Sequence, residues 1–154
     1  ISAYHYNGEI DYSFGGGGYT TVMLEGDAIA MGSASSNGMC LAPDGKILYT
    51  CNQKPAKFEN DFAFLRLNQN GGIDYSLGTN GVLVTEMDAN SYARDIITQA
   101  DGKIIACGTY RTPEPGSFDF LIMRYHENGD LDTDFGTDGF VIGVGICGQT
   151  NRGQ

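Results

Sequence analysis

Four aspartates, Asp130, Asp132, Asp134 and Asp138, alternate along the stretch from Asn128 to Gly139, and such spacing offers hard oxygen ligands to calcium on a tight loop. The match to an EF-hand loop fails in detail. Counted from Asp130, glycine falls at the seventh position instead of the sixth, and Val141 stands where a bidentate Glu should close the shell. The corresponding residues elsewhere in the chain are Glu9, Asp11 and Ser13, and Gly72, Asp74 and Ser76, so only the middle aspartate recurs. A short acidic side chain beside a glycine-rich turn can accept hydrogen bonds from its own loop. Asp11, Asp74 and Asp132 are therefore expected to fix turns, and no metal or other cofactor is predicted.

The other reactive residue types form no recognisable catalytic set. Cys40, Cys51, Cys107 and Cys147 have no CxxC spacing, and the two histidines, His5 and His126, lie in turn-like surroundings at nearly equivalent positions. Buried or disulfide-bonded structural cysteines are expected, with three possible pairings if all four are oxidised. Gly15-Gly16-Gly17-Gly18 lacks the following Lys and Ser or Thr of a phosphate-binding loop, and Gly32-Ser33-Ala34-Ser35-Ser36 has Ala34 where a nucleophilic serine would sit. Carboxylates such as Glu25, Asp27, Glu59 and Asp61 are abundant, but abundance places no pair across a cleft. The chain is read as not an enzyme. Tyrosine, with 9 copies, is the side chain in best supply, and Tyr12, Tyr19, Tyr75 and Tyr110 are candidates for stacking on a glycan or lining a protein interface.

Composition narrows the partners further. The 154 residues carry 19 acidic against 9 basic side chains, a net charge of -10, which repels phosphate backbones and anionic bilayers. Neither nucleic-acid binding nor membrane insertion is expected, since no apolar run approaches a membrane span. Only 18% of residues are charged, and 23 are glycine; polarity comes from Gly, Asn, Thr and Ser, a composition of turns and strands. Because the chain opens on Ile1 and closes in the polar run from Gly148 to Gln154, it is read as a piece of something longer.

The elements that hold these residues recur along the chain. Asn7 to Gly15 returns as Asn70 to Gly78 and again as Asn128 to Gly136, with Phe14, Leu77 and Phe135 separated by 63 and then 58 residues. Each copy closes on a glycine at Gly18, Gly81 or Gly139, giving landmarks at 7–18, 70–81 and 128–139. Asp44-Gly45-Lys46-Ile47 matches Asp101-Gly102-Lys103-Ile104, and the segment 61–67 matches 119–125, with Arg66 and Arg124 at the same place in each. The unit is about 58 residues, with extra residues in an inserted loop within 19–43. Both Asp-Gly pairs lie between apolar segments and predict hairpins. Segments 61–67 and 119–125 predict a third strand, and 19–24, 82–87 and 140–144 a fourth. At most one short helical turn is expected, with 89–94 the candidate place. Phe14, Leu77 and Phe135 are read as apolar pegs tying each loop to its core. Gly15, Gly78 and Gly136, with Gly18, Gly81 and Gly139, are read as turn glycines.

The block from Leu65 to Gly81 followed by Asp101-Gly102-Lys103-Ile104, with a second copy from Met123 to Gly139, resembles the bacterial delta-sixty repeat. Ala3 and Tyr4 depart from it, since the Arg found at 66 and 124 is missing there. The resemblance implies a propeller-like fold and an exported, extracellular or cell-surface location, and transfers no catalytic residues. With four strands per unit, the expectation is an all-β chain of about two and a half propeller-like antiparallel blades, part of a larger propeller. Its expected partners are adjacent repeats of the same polypeptide or further copies of the chain. The expected function is a structural scaffold segment of a bacterial surface repeat protein, the alternative being a protein- or glycan-binding adhesion module that uses its loop tyrosines.

Overall fold

A computed structural model describes residues 1–22, 38–53, 60–111 and 118–143. Eight strands follow in chain order: β1 (Met39–Leu41), β2 (Ile47–Gln53), β3 (Asp61–Leu67), β4 (Val82–Thr85), β5 (Ser91–Thr98), β6 (Ile104–Arg111), β7 (Phe118–Tyr125) and β8 (Phe140–Gly143). They form two four-stranded antiparallel sheets, β1-β2-β3-β4 and β5-β6-β7-β8. The chain is all-β in its described residues. No helix among them is long and apolar enough to cross a membrane.

Local chemistry sets both hairpins. At the first, the Gly45 amide donates to the Ala42 carbonyl (2.9 Å) while Asp44 Oδ1 accepts from the Lys46 amide (3.0 Å). At the second, Gly102 donates to Gln99 (3.0 Å) and Asp101 Oδ1 accepts from Lys103 (3.2 Å). In both, an aspartate closes the turn on its own backbone and glycine takes the positive φ that follows. The strands between are rich in aromatic and branched side chains and pair in continuous register, apart from a bulge between Ala93 and Asp95. No helical turn forms near 89–94, within the expectation of at most one. Ser91 to Thr98 is instead strand β5, whose Ser91, Ala93 and Ile96 turn inward against the first sheet.

β3 is buried along its whole length because both of its faces are covered. Phe62 and Phe64, with Leu48 and Leu77, pack against Ala93, Ile96, Ile104, Leu121, Met123 and Tyr125 of the second sheet. Ala63, Leu65 and Leu67, with Cys51 and Val82, pack against Ile1, Ala3, Phe14 and Val22. Residues 1–22 thus cover the first sheet, although they form isolated bridges, such as Ser2 with Tyr19 and Tyr4 with Ile10, and no strand. A strand over 19–24 is absent as far as Val22, and the rest of that segment and most of the inserted loop lie outside the described residues. Full burial of one large apolar side chain stabilises by about 1.5–3 kcal/mol, so the rings of Phe62 and Phe64 make the joint between the sheets a main source of stability.

The propeller expectation is corrected here. Both sheets are open: among the described residues β1 and β4 are the edge strands of one and β5 and β8 of the other, and the sheets meet through side-chain faces without closing on themselves. Closure around a centre requires at least four blades, whereas two sheets and an N-terminal strap make an open stack. The reading as propeller-like blades of a repeat protein is therefore withdrawn, although equivalent positions along the chain do take up equivalent local geometry.

Candidate functional site

The charged residues collect where the Asp-Gly hairpins meet the loops that follow β3 and β7. Asp74 Oδ2 accepts from Arg66 Nε at 2.7 Å, with Lys46 Nζ 3.3 Å away, while Oδ1 accepts from the Ser76 amide (3.1 Å) and hydroxyl (2.6 Å). Fifty-eight residues on, Asp132 Oδ2 accepts from Arg124 Nε (2.7 Å) and Lys103 Nζ (2.9 Å), while Oδ1 accepts from the Asp134 amide (3.3 Å). Asp11 keeps the short-range part, with His5 Nε2 3.9 Å from its Oδ1. Its carboxylate accepts from the Ser13 amide (2.9 Å) and hydroxyl, and Ala3 stands where the arginine would be.

Burial makes these pairs unequal. Arg66 and Asp74 are 5% and 7% exposed, and every polar end of Arg66 is occupied: Nη2 donates to Ser76 Oγ (3.2 Å) and Nη1 to the Glu127 carbonyl in the loop after β7. Arg66 therefore joins its own turn to the neighbouring sheet. Arg124 is more open, and its guanidinium lies over the Phe135 ring, 4.6 Å from the centroid. Burial works against ionisation of Asp74, but the hydrogen bonds from Ser76 and the charge of Arg66 outweigh it and hold the carboxyl well below the usual range. The hydrogen bond from Lys103, aided by Arg124, holds Asp132 down to about 2.

The sign of the resulting pH dependence follows. Both carboxylates titrate lower in the folded chain than unfolded, so their contribution is complete above the unfolded value of about 4 and drains away as pH falls through the folded values. The urea midpoint should stay level from pH 7 to 5 and drop below pH 4, and Asp132→Asn should make that drop shallower. A midpoint already falling between pH 7 and 5 would contradict this assignment.

No cation cage accompanies these carboxylates. Among the described residues no three His, Cys, Asp or Glu side chains converge to hold a metal. Asp132 faces two cations, Asp130 Oδ2 accepts from Asn128 (2.7 Å), and Asp138 adopts a positive φ that matches Asn80 in the equivalent turn. Cys40, Cys51 and Cys107 carry free thiols, so no disulfide among them points to an oxidising compartment, and burial pushes Cys51 up to about 12. Cys147 lies outside the described residues. A shallow groove of about 260 Å³ runs between the two hairpins, with Lys46, Asp44, Asp101 and Glu127 on its walls. The cations there are already paired, and no nucleophile stands beside a base.

The remaining predicted residues take varied places. Gly15, Gly78, Gly136, Gly18, Gly81 and Gly139 all have positive φ. Phe14 and Leu77 are buried, whereas Phe135 is half-exposed. Tyr12, Tyr19 and Tyr75 are exposed, but Tyr110 packs against the core between the sheets. Sequence reasoning missed the roles of Arg66, Lys46 and Lys103. Their signal was present, since Arg66 and Arg124 each stand eight residues before their aspartate and Lys46 and Lys103 each follow an Asp-Gly pair, but the sequence left the pairing across strands unassigned.

A family model described as "Domain of unknown function (DUF5122) beta-propeller" matches residues 99–135. The match covers 37 of the 154 residues, from the second hairpin through the Asp132 turn to Phe135. It leaves out the block from Leu65 to Gly81, so the delta-sixty resemblance is corrected to a partial similarity, and the open sheets contradict the propeller architecture it implied. No curated protein matches the chain.

Proposed function

We propose that this chain is a non-catalytic scaffold segment that holds β-layers in fixed register with their neighbours, whether those belong to the same polypeptide or to another copy. One observation carries the reading: Arg66, with a hydrogen bond from each of its three guanidinium nitrogens, links Asp74 and Ser76 of its own turn to the Glu127 carbonyl of the next sheet, so that this buried cation serves alignment between layers. Buried polar networks with every member satisfied rigidify a fold and specify one arrangement.

Exposed tyrosines support a second reading, adhesion. Tyr12 and Tyr75 occupy the same place in two successive turns, and both rings stand in solvent. Presenting the whole chain to arrays of glycans and proteins separates the two. A scaffold gives no binding that depends on these rings, whereas an adhesion module gives binding that is lost in the Tyr12→Ser, Tyr75→Ser double variant at unchanged thermal stability.

A further inference from the structure

The joint between the two sheets has a peg and a socket, and the chain carries an unused copy of each. Leu77 projects from the first sheet's turn onto Gly129, where a Cβ would stand 2.8 Å from the leucine side chain. One layer earlier, the Phe14 ring stands 2.8 Å from where a Gly71 Cβ would be. The third peg, Phe135, is half-exposed, and the remaining socket, Gly8, has nothing within 4 Å of a Cβ.

The surroundings of the free peg and socket follow the same rule. Leu48, Phe62, Phe64 and Leu77 are fully buried against the second sheet, but their counterparts Ile105, Phe120, Ile122 and Phe135 are not, with Phe120 43% exposed. At the other end, Leu67, Ile73 and Val82 pack into the core beneath residues 1–22, and Tyr125, Leu131 and Phe140 pack into the joint between the sheets. Their counterparts Tyr4, Ile10 and Tyr19 face solvent, Tyr4 at 62% and Tyr19 at 57%. Among the described residues two different faces are therefore open, and each is the complement of the other in an interface that the chain already forms internally.

We propose that a second copy of this chain docks head to tail, seating its Tyr4–Ile10–Tyr19 face on the outer face of the second sheet, with Phe135 of one copy entering at Gly8 of the next. This goes beyond the scaffold reading by naming the partner and the contact, and it rests on that reading only for its biological use. The contact is heterologous, since different patches meet, so association continues from copy to copy unless the rotation between copies closes a ring. Arg124 would then reach the backbone of residue 6 in the next copy, as Arg66 reaches the Glu127 carbonyl.

Sedimentation velocity of the whole chain from micromolar to several hundred micromolar tests this. The wild type should grow beyond a dimer as concentration rises. Phe120→Glu and Tyr4→Glu, each altering an exposed ring, should each be monomeric alone, while an equimolar mixture should give a capped dimer, because each variant retains the face the other has lost. Ile105→Glu and Tyr19→Glu provide a second pair should the first alter the far-UV circular dichroism. A wild type that stays monomeric throughout overturns the proposal and leaves the open face to a different β-layer. Association that Tyr4→Glu leaves intact overturns it too, since like faces would then be meeting. Neither result bears on array binding through Tyr12 and Tyr75, so failure here is distinct from failure of the scaffold reading.

Discussion

Replacing Arg66 with methionine should lower the unfolding free energy by about 3 kcal/mol, the low end of the range for removing one partner of a buried ion pair. Asp74 would be left buried with only Lys46 Nζ, 3.3 Å away, as counter-charge, and the Glu127 carbonyl would lose the donor that reaches it from the other sheet. Methionine retains most of the apolar stem, so the loss reports the guanidinium and not its packing. Urea denaturation should show a lower midpoint at an unchanged slope, because the surface exposed on unfolding stays the same. Arg124→Met should cost clearly less. Lys103 Nζ remains 2.9 Å from Asp132, and the Arg124 side chain is 22% exposed against 6% for Arg66. Adding Asp74→Asn to Arg66→Met should recover part of the loss, since the uncompensated charge is then gone. Equal costs for the two arginines would show that burial does not distinguish them.

The same arginines show how far the sequence could be read. Hairpins at Asp44-Gly45 and Asp101-Gly102 were legible because turn chemistry is local: an aspartate and a glycine settle the backbone within four residues. The strands 61–67 and 119–125 were legible for a similar reason, being dense in aromatic and branched side chains. At 89–94, the one place where a helical turn was allowed for, short-range pattern said little, and pairing with β6 across a bulge decided for strand. The role of Arg66 depends on three partners, at 74, 76 and 127, the last 61 residues away. Architecture was the least legible. Recurrence of a unit shows that layers resemble one another, but the angle between layers decides between closure and an open stack, and no residue type announces it. Asp11, Asp74 and Asp132 were read as turn-fixing, and each does accept a backbone hydrogen bond two residues on. What local reasoning omitted is that two of them also anchor cations from neighbouring strands.

Leu77→Ala should be strongly damaging to the joint, costing about 2–5 kcal/mol as expected for a buried leucine whose cavity cannot collapse. Collapse is restricted because the leucine meets Gly129 on one side, a residue with no side chain to move in, and a backbone held by the hydrogen bond from Gly129 to the His126 carbonyl (2.9 Å). Filling the gap from the other side is no remedy. Gly129 has φ +95°, a conformation that alanine adopts only under strain, so Gly129→Ala alone should destabilise, and joined to Leu77→Ala it should restore little. Phe135→Ala provides the comparison, because it removes the corresponding peg where no socket among the described residues receives it. Its cost in a dilute sample should stay near 1 kcal/mol or below, limited to the contact with Arg124 and the residual packing of a half-exposed ring. Chemical denaturation of these four variants at low micromolar concentration reads all of these values, with association suppressed. A Leu77→Ala loss no larger than that of Phe135→Ala would mean that the peg does not hold the sheets together, and the open peg at Phe135 would then have no internal precedent to follow.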